Sequence, residues 1–498
     1  MGAGVVLVGL DGADGELVSA MADDGRLPVL AGLRARGAWG RLDSIVALGD
    51  DAAWCSLATG VGPGVHGRRY YRHYPRGSYA MKAVARSDIL APPFWDALAA
   101  HGRRVAVLDV PKAPVGTDAR TLVVTDWMAH GGHLERVEVQ PAERHAELSG
   151  YLDTDDDLWD CHDGGTPEAF RTRLCARAEV RADLAVALLE REHWDAVIVV
   201  FGETHCGGHF LWDQEGAVEH IYGAVDAQLG RIVAAAGRDA TVLVFSPLGM
   251  APNHSAVELA DAVLARLDEG FTVHSSRPWR ARVLDAAREQ LPQALRRRIP
   301  EAVHRVAAHS RDREFGTRRF WRVPTDLPAT PVRLNVVGRE PHGKVAPTDV
   351  DAVCEELRRE FLALTDPATG RRLVSDVLIA RDAFPGDAPD DFADVHVLWD
   401  RRRPLDAASS PRVGEVRVRP DPWRPGEHRD PGWLVAVGPG FAPGSLAVPA
   451  SVLDLAPTVA RLLGVPFQGE GRVLPEAARA ARGQAAVGST ANAAQSSE

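Results

Sequence analysis

Residues 5–12 read Val5-Val6-Leu7-Val8-Gly9-Leu10-Asp11-Gly12. The first six are a short, continuous, β-branched run with no alternation. That pattern predicts a strand buried on both faces, as in a parallel sheet. Asp11-Gly12 ends the run, and a helical stretch follows. The same reading applies to Val105-Ala106-Val107-Leu108 and to residues 196–201, 241–245 and 433–437. Helical patterns lie between them, at 177–192 and 217–236. Strands alternating with helices predict an α/β fold: a mostly parallel sheet with helices on both faces. In such sheets ligands sit at the carboxyl ends of the strands, so the chemistry is sought just after each one.

Working outward, the chain has 498 residues, 45% hydrophobic and 25% charged, enough for a sizeable core. The formal net charge of -11 argues against a nucleic-acid or anionic-membrane partner. A small, anionic molecule is the expected ligand, and oligomeric state is not legible. The five cysteines are odd in number and scattered, and no Cys-x-x-Cys occurs. A reducing compartment, and hence a cytoplasmic protein, fits this better than a disulfide framework. The opening residues lack a basic n-region and a signal-length apolar run. No stretch approaches membrane-spanning length, and Val6 breaks the myristoylation pattern.

Three segments stand apart from the core. Residues 126–175 are rich in His, Asp and Gly, as expected of a lid or substrate loop. Residues 276–320 are Arg-rich and helical with breaks at Pro292 and Pro300, as expected of a surface insertion or cap. The tail at 483–498 is Ala, Gly, Ser and Gln, a composition expected to be disordered. The core is then 1–275 with 321–482.

The strand ends carry the candidate chemistry. Asp11 is placed either as a metal ligand or as a helix N-cap. Residues 50–60 read Asp50-Asp51-Ala52-Ala53-Trp54-Cys55-Ser56-Leu57-Ala58-Thr59-Gly60, followed by Pro63 and His66-Gly67. After the 196–201 strand come Glu203-Thr204-His205-Cys206-Gly207-Gly208-His209. On a helix, His205 and His209 share a face, which suits one metal ion. The two-glycine spacer weakens the helix reading, and two unrelated polar histidines are the alternative. Near the C-terminal end, Gly426-Glu427-His428-Arg429-Asp430-Pro431-Gly432 precedes a strand, then Gly438-Pro439-Gly440 and Asp454-Leu455-Ala456-Pro457-Thr458.

The order of these motifs resembles the type I phosphodiesterase/nucleotide pyrophosphatase branch of the alkaline phosphatase superfamily. Phe94-Trp95, Ser246-Pro247-Leu248-Gly249-Met250 and Gly338-Arg339-Glu340-Pro341 add to it, so the likeness spans roughly residues 4–470. It implies a three-layer α/β/α architecture with a central mixed sheet, and two metal sites beside a Ser or Thr nucleophile. Carried across residue by residue, one metal position becomes His205, His209 and His428. A neutral three-imidazole set suits Zn, and also Fe or Cu. The other position keeps Asp11 but meets Pro247 and Leu248 where the resemblance implies an Asp-His pair. The nucleophile position falls on Asp50, or on Asp51 if the alignment slips by one. Asp50 is open to three roles (covalent nucleophile, metal ligand or general base), and with Asp11 it could complete a weak second site or form an acid/base pair beside the first metal. Cys55 and Ser56 are expected to pack.

Lys112, His130 and Glu203 are candidates for substrate contact, and Glu203 also for support of the histidine pair. His133 and His254 carry less weight, His254 as a replacement for a lost ligand. Three readings compete. The first is a hydrolase of a phosphate, phosphonate or sulfate ester with a mononuclear site. The second is a repurposed Fe or Cu enzyme (oxygenase, oxidase or lyase). The third is an inactive binding protein on the same scaffold.

Overall fold

The computed structural model describes residues 2–125, 127, 137–152, 166–268, 315–325, 327–389 and 391–478. The tail 483–498, His130, His133 and most of the expected insertion lie outside the described residues. So does much of 126–175.

A ten-stranded sheet forms the centre. Its main strands are β1 (Gly2–Leu10), β2 (Ala38–Asp43), β3 (Val105–Leu108), β4 (Thr121–Thr125) and β5 (Glu138–Gln140). Strands β6 (His193–Phe201) and β7 (Thr241–Ser246) follow. A two-stranded antiparallel pair outside this sheet, β8 (Gly249–Pro252) and β9 (Gly426–Arg429), precedes β10 (Gly432–Val437). Across the sheet the order is Gly444–Ser445, β2, β10, β7, β1, β6, β3, β4, β5, with Ala450–Ser451 also on β2. β1 runs parallel to β6 and β7, and β3 parallel to β6 and β4. β10 runs antiparallel between β7 and β2, and β5 antiparallel to β4. The sheet is mixed and mostly parallel, as the resemblance implied.

The unalternating run of β1 is explained by its position. Val6, Val8 and Leu10 enter the core on one face, under α3 (Pro167–Arg191) and α5 (Ala217–Ala236). Val5 and Leu7 enter the core on the other, under α1 (Gly49–Thr59), α2 (Phe94–Ala100) and α6 (Leu455–Leu462). Gly9 is needed where Trp54 of α1 presses on the strand: a Cβ there would lie 2.6 Å from the indole.

Register fixes the site edge. Leu10 pairs with Phe201 and Gly9 with Phe245. The carboxyl ends of β1, β6 and β7 are therefore level, and α4 (Glu203–Phe210) starts at that edge. β3 ends two residues behind, with Leu108 opposite Val199.

A second sheet was not foreseen in the sequence. Phe320–Arg322, Thr330–Leu334, Val395–Trp399 and Val374–Ile379 form four antiparallel strands. Helices Val257–Leu267 and Val350–Leu362 back it with a core of their own. Among the described residues no helix is long and apolar enough to cross a membrane. Cys206 is disulfide-bonded, which corrects the reading of reduced thiols throughout. Cys55, Cys175 and Cys354 are not in disulfides.

His396 of the second sheet is fully buried. Burial, then the Arg69 charge, push its pKa down to about 3, against a smaller upward pull from Asp394. The unfolded chain therefore binds this proton more readily. The stabilisation is complete above about 6.5 and is lost as pH falls toward 3, at up to about 1.4 kcal/mol per pH unit. His396→Phe should shallow the acid limb of a stability-versus-pH curve measured by denaturant unfolding. An unchanged slope would rule this histidine out as an acid-sensitive element.

Candidate metal centre

Each functional side chain reaches the site by a short local route. Asp11 follows β1 directly. Its N–H donates to the Phe201 carbonyl at 3.0 Å, and its own carbonyl accepts from Thr204 Oγ1 at 2.6 Å. Trp54 Nε1 donates to Asp11 Oδ1 at 2.9 Å, which aims the carboxylate. The neighbouring cap is taken by Asp14, whose side chain accepts from the Leu17 N–H. Asp11 is therefore no N-cap, and its carboxylate faces His205, with Oδ2 3.2 Å from Nδ1.

His205 and His209 stand on α4, which forms despite its two glycines. Close packing explains them. A Cβ on Gly207 would meet Ile221 at 2.5 Å, and one on Gly208 would meet Met250 at 2.9 Å. The spacer that weakened the helix in the sequence lets the helix approach its neighbours. His428 arrives from β9, opposite Met250 in the β8–β9 pair.

The three rings converge. Their centroids lie 4.3 Å apart for His205–His209 and 4.8 Å for each of the other two pairs. All three residues are buried. His209 Nδ1 lies 2.9 Å from the Gly426 carbonyl, which can only accept. That bond places the proton on Nδ1 and leaves Nε2 with a lone pair. His209 Nε2 and both ring nitrogens of His428 are buried with no hydrogen-bond partner among the described residues. Burial, then Arg424 and the other two histidines, hold His209 well below the ordinary imidazole range. Burial and His205 push His428 down to about 4, against the pull of Asp50 and Glu427. Neutral imidazoles with inward lone pairs are the donors a borderline divalent cation takes. These residues fit a metal ion.

A second ligand group adjoins the first and shares His205: Asp11, Asp50 and His205. Asp50 sits in the first turn of α1, where the helix dipole favours a carboxylate. Its Oδ2 lies 4.0 Å from His205 Nδ1 and in contact with Lys112 Nζ. Asp51 turns to Arg68 at 2.8 Å, with Lys112 at 3.6 Å. For Lys112, burial pulls the pKa down, but Asp50, Asp51 and Asp11 outweigh it and the net shift is upward. Leu248 is fully buried where the resemblance implied a ligand, and Ser246 Oγ donates to its carbonyl.

Other candidates fall elsewhere. Glu203 does not reach substrate space. It is fully buried and paired with Arg181 at 3.0 Å and Arg177 at 3.7 Å, so its carboxylate supports the start of α4. His254 Nδ1 bonds the Arg401 carbonyl and joins neither ligand group. Ser56 and His66 resemble a nucleophile and base at 2.8 Å. However, the Arg68 N–H donates to His66 Nδ1, so Nε2 carries the proton and donates to Ser56. The serine is not activated. Burial pushes the Cys55 thiol up to about 12, which leaves it inert.

Sequence reasoning missed Asp109 and Arg181, which pair at 2.7 Å beneath the site. A signal existed. Asp109 follows a strand end, as Asp11 does. Arg177 and Arg181 fall on the buried stripe of α3 with Leu174, Ala178 and Ala182, and an arginine on a core stripe requires a buried partner.

The model of the type I phosphodiesterase / nucleotide pyrophosphatase family matches residues 5–422. Phosphonoacetate hydrolase from Sinorhizobium meliloti 1021, solved with phosphonoformate, is similar over 93% of this chain and 96% of its own. The TM-score is 0.55 at 16% identity. The same hydrolase with phosphonoacetate gives 0.56 at 15% identity over the same shares. Murine ectonucleotide pyrophosphatase/phosphodiesterase 5, in an inactive form with AMP, gives 0.50 at 11% identity, over 94% of this chain and 97% of its own. At such identities the likeness carries the fold alone. No curated protein matches the sequence significantly.

Arg181→Met removes the shared cation of Asp109 and Glu203 and leaves both buried carboxylates undercompensated. Thermal or denaturant unfolding should show a loss of about 3–5 kcal/mol. A loss below about 1 kcal/mol would mean that the cluster is held by packing instead.

Proposed function

The chain belongs to the type I phosphodiesterase / nucleotide pyrophosphatase family, and on that premise we propose that it is a metal-dependent hydrolase of a phosphate, phosphonate or sulfate ester. The proposed centre is mononuclear, with His205, His209 and His428 as ligands. The observation that carries this reading is the set of buried imidazole nitrogens: His209 Nε2 and both nitrogens of His428 have no other partner among the described residues.

A divalent ion bound there, Zn or else Fe or Cu, would supply Lewis-acid polarisation of an ester oxygen and acidify water. The rest falls to the chain. Gly426 holds His209 in the tautomer a ligand needs. Trp54 and Thr204 fix Asp11 beside His205. Asp50, on the rim of the same group, is the candidate to accept a proton from the attacking water. Hydrolysis then breaks the bond between phosphorus (or sulfur) and the leaving oxygen; water supplies hydroxyl to the one and a proton to the other. Lys112 and Arg68 offset the carboxylates, so an anionic substrate meets less repulsion at the mouth. Asp11 or Asp51 acting in place of Asp50 is weaker on geometry, since Asp51 is bound by Arg68 at 2.8 Å.

Purified full-length protein should contain about one metal ion per chain and hydrolyse a member of a panel of phospho-, phosphono- and sulfoesters. AMP, seen with one of the structural relatives, belongs in that panel. His205→Ala or His428→Ala should remove both metal and activity. Asp50→Asn should lower kcat by about 100-fold or more with the metal retained; an unchanged rate would dismiss its role. Iron or copper in place of zinc, with oxygen-dependent turnover, would move the chemistry from hydrolysis to oxidation.

A further inference from the structure

We infer that the Lys112 ammonium is a built-in second cation, occupying the place that a second metal ion would take beside Asp11 and Asp50. The centre then holds one ion and not two. This rests on the reading of His205, His209 and His428 as a metal site.

The described residues offer two ligand groups joined at His205: the histidine trio, and Asp11 with Asp50 and His205. Ligand type alone would let each group take an ion. Lys112 decides between one and two. Its Nζ lies against Asp50 Oδ2, the same oxygen that faces His205 Nδ1 at 4.0 Å. It also stands 3.6 Å from Asp51 Oδ2. A divalent ion ligated by that oxygen would meet the ammonium at contact distance, and like charges in a buried site repel strongly.

The ammonium cannot readily swing aside. Lys112 closes a four-residue turn after β3 in which two non-glycine residues take left-handed backbone angles, Asp109 at φ 58° and Lys112 at φ 59°. Such angles persist only where the surroundings overdetermine them. Here the surroundings are visible. Asp109 accepts from the Trp127 N–H at 2.8 Å and from Arg181 at 2.7 Å, and both partners are buried. The lysine side chain is only 10% exposed. Arg68 meanwhile occupies Asp51. Each member of the Asp50-Asp51 doublet therefore has its own protein cation. An anionic ester would face one divalent pole at the histidines and one monovalent pole at Lys112.

The test counts Zn2+ bound by the full chain after free metal is removed, in the wild type and in Lys112→Met. The expected result is about one ion in the wild type and about two in the variant. The double variant Lys112→Met/Asp50→Asn should return to about one. Lys112→Gln, which keeps a polar contact to Asp50, serves as the second variant should the methionine disturb folding. Two ions in the wild type overturn the inference whatever the variants do. One ion in the wild type and one in a folded lysine variant overturn the role of Lys112 alone. No ion in the wild type overturns the three-histidine reading, and the inference with it.

Discussion

The parallel register of β1 with β6 and β7 is the constraint on which the site depends. Leu10 stands level with Phe201, and Gly9 with Phe245. One sheet edge thereby receives Asp11, the start of the histidine helix and the end of β7. The bond from Asp11 N–H to the Phe201 carbonyl extends the ladder one residue past the strand, and Thr204 closes it from the other side. A slip of one residue would reverse the faces of β1 and carry Val6 and Val8 out of their core. The same slip would turn Asp11 away from His205. Packing energy thus enforces the geometry of Asp11 and the histidine helix.

Around that edge lies an unusual density of buried charge. Asp11, Asp50, Asp51, Asp109 and Glu203 are balanced by Lys112, Arg68, Arg177 and Arg181, nearly all out of water. Desolvating so many ions costs more than their attraction returns unless geometry is close to ideal. Stability is therefore a poor account of their presence. Positional control is a better one: Arg181 ties the turn after β3 to the start of the histidine helix through Asp109 and Glu203. The turn carries Lys112 and the helix carries His205 and His209. One guanidinium so sets the distance between the lysine-bearing turn and the histidine-bearing helix.

Much of this was legible in the sequence because strand ends and helical spacing are local signals. The unalternating run before Asp11 marked a strand buried on both faces, and His205 and His209 lie one helical turn apart. What was not legible depends on distant partners. The Gly207-Gly208 spacer argued against a helix until Met250 and Ile221 supplied the reason for it. Glu203 looked available because its partners lie 22 and 26 residues upstream, on α3. The antiparallel course of β10 and the second sheet follow from connections that hydrophobic periodicity does not encode. Asp11 was left between cap and ligand, and the cap made by Asp14 removes the first of these.

The exchange of charge type at the centre follows from these placements. Three neutral imidazoles leave a bound dication uncompensated by its own ligands. The nearby carboxylates Asp11 and Asp50 are then available to balance it, yet Asp50 already answers Lys112. With an ion bound at the histidines as proposed, the centre would carry excess positive charge, concentrated on two poles a few ångströms apart. In a weakly screened site that excess is complementary to an ester oxyanion, and complementary above all to the extra negative charge that develops as the leaving oxygen departs. Loss of ligands at positions 247 and 248 need not mean loss of catalysis, because the electrostatic demand of the reaction can be met by a side chain that the fold already holds in place.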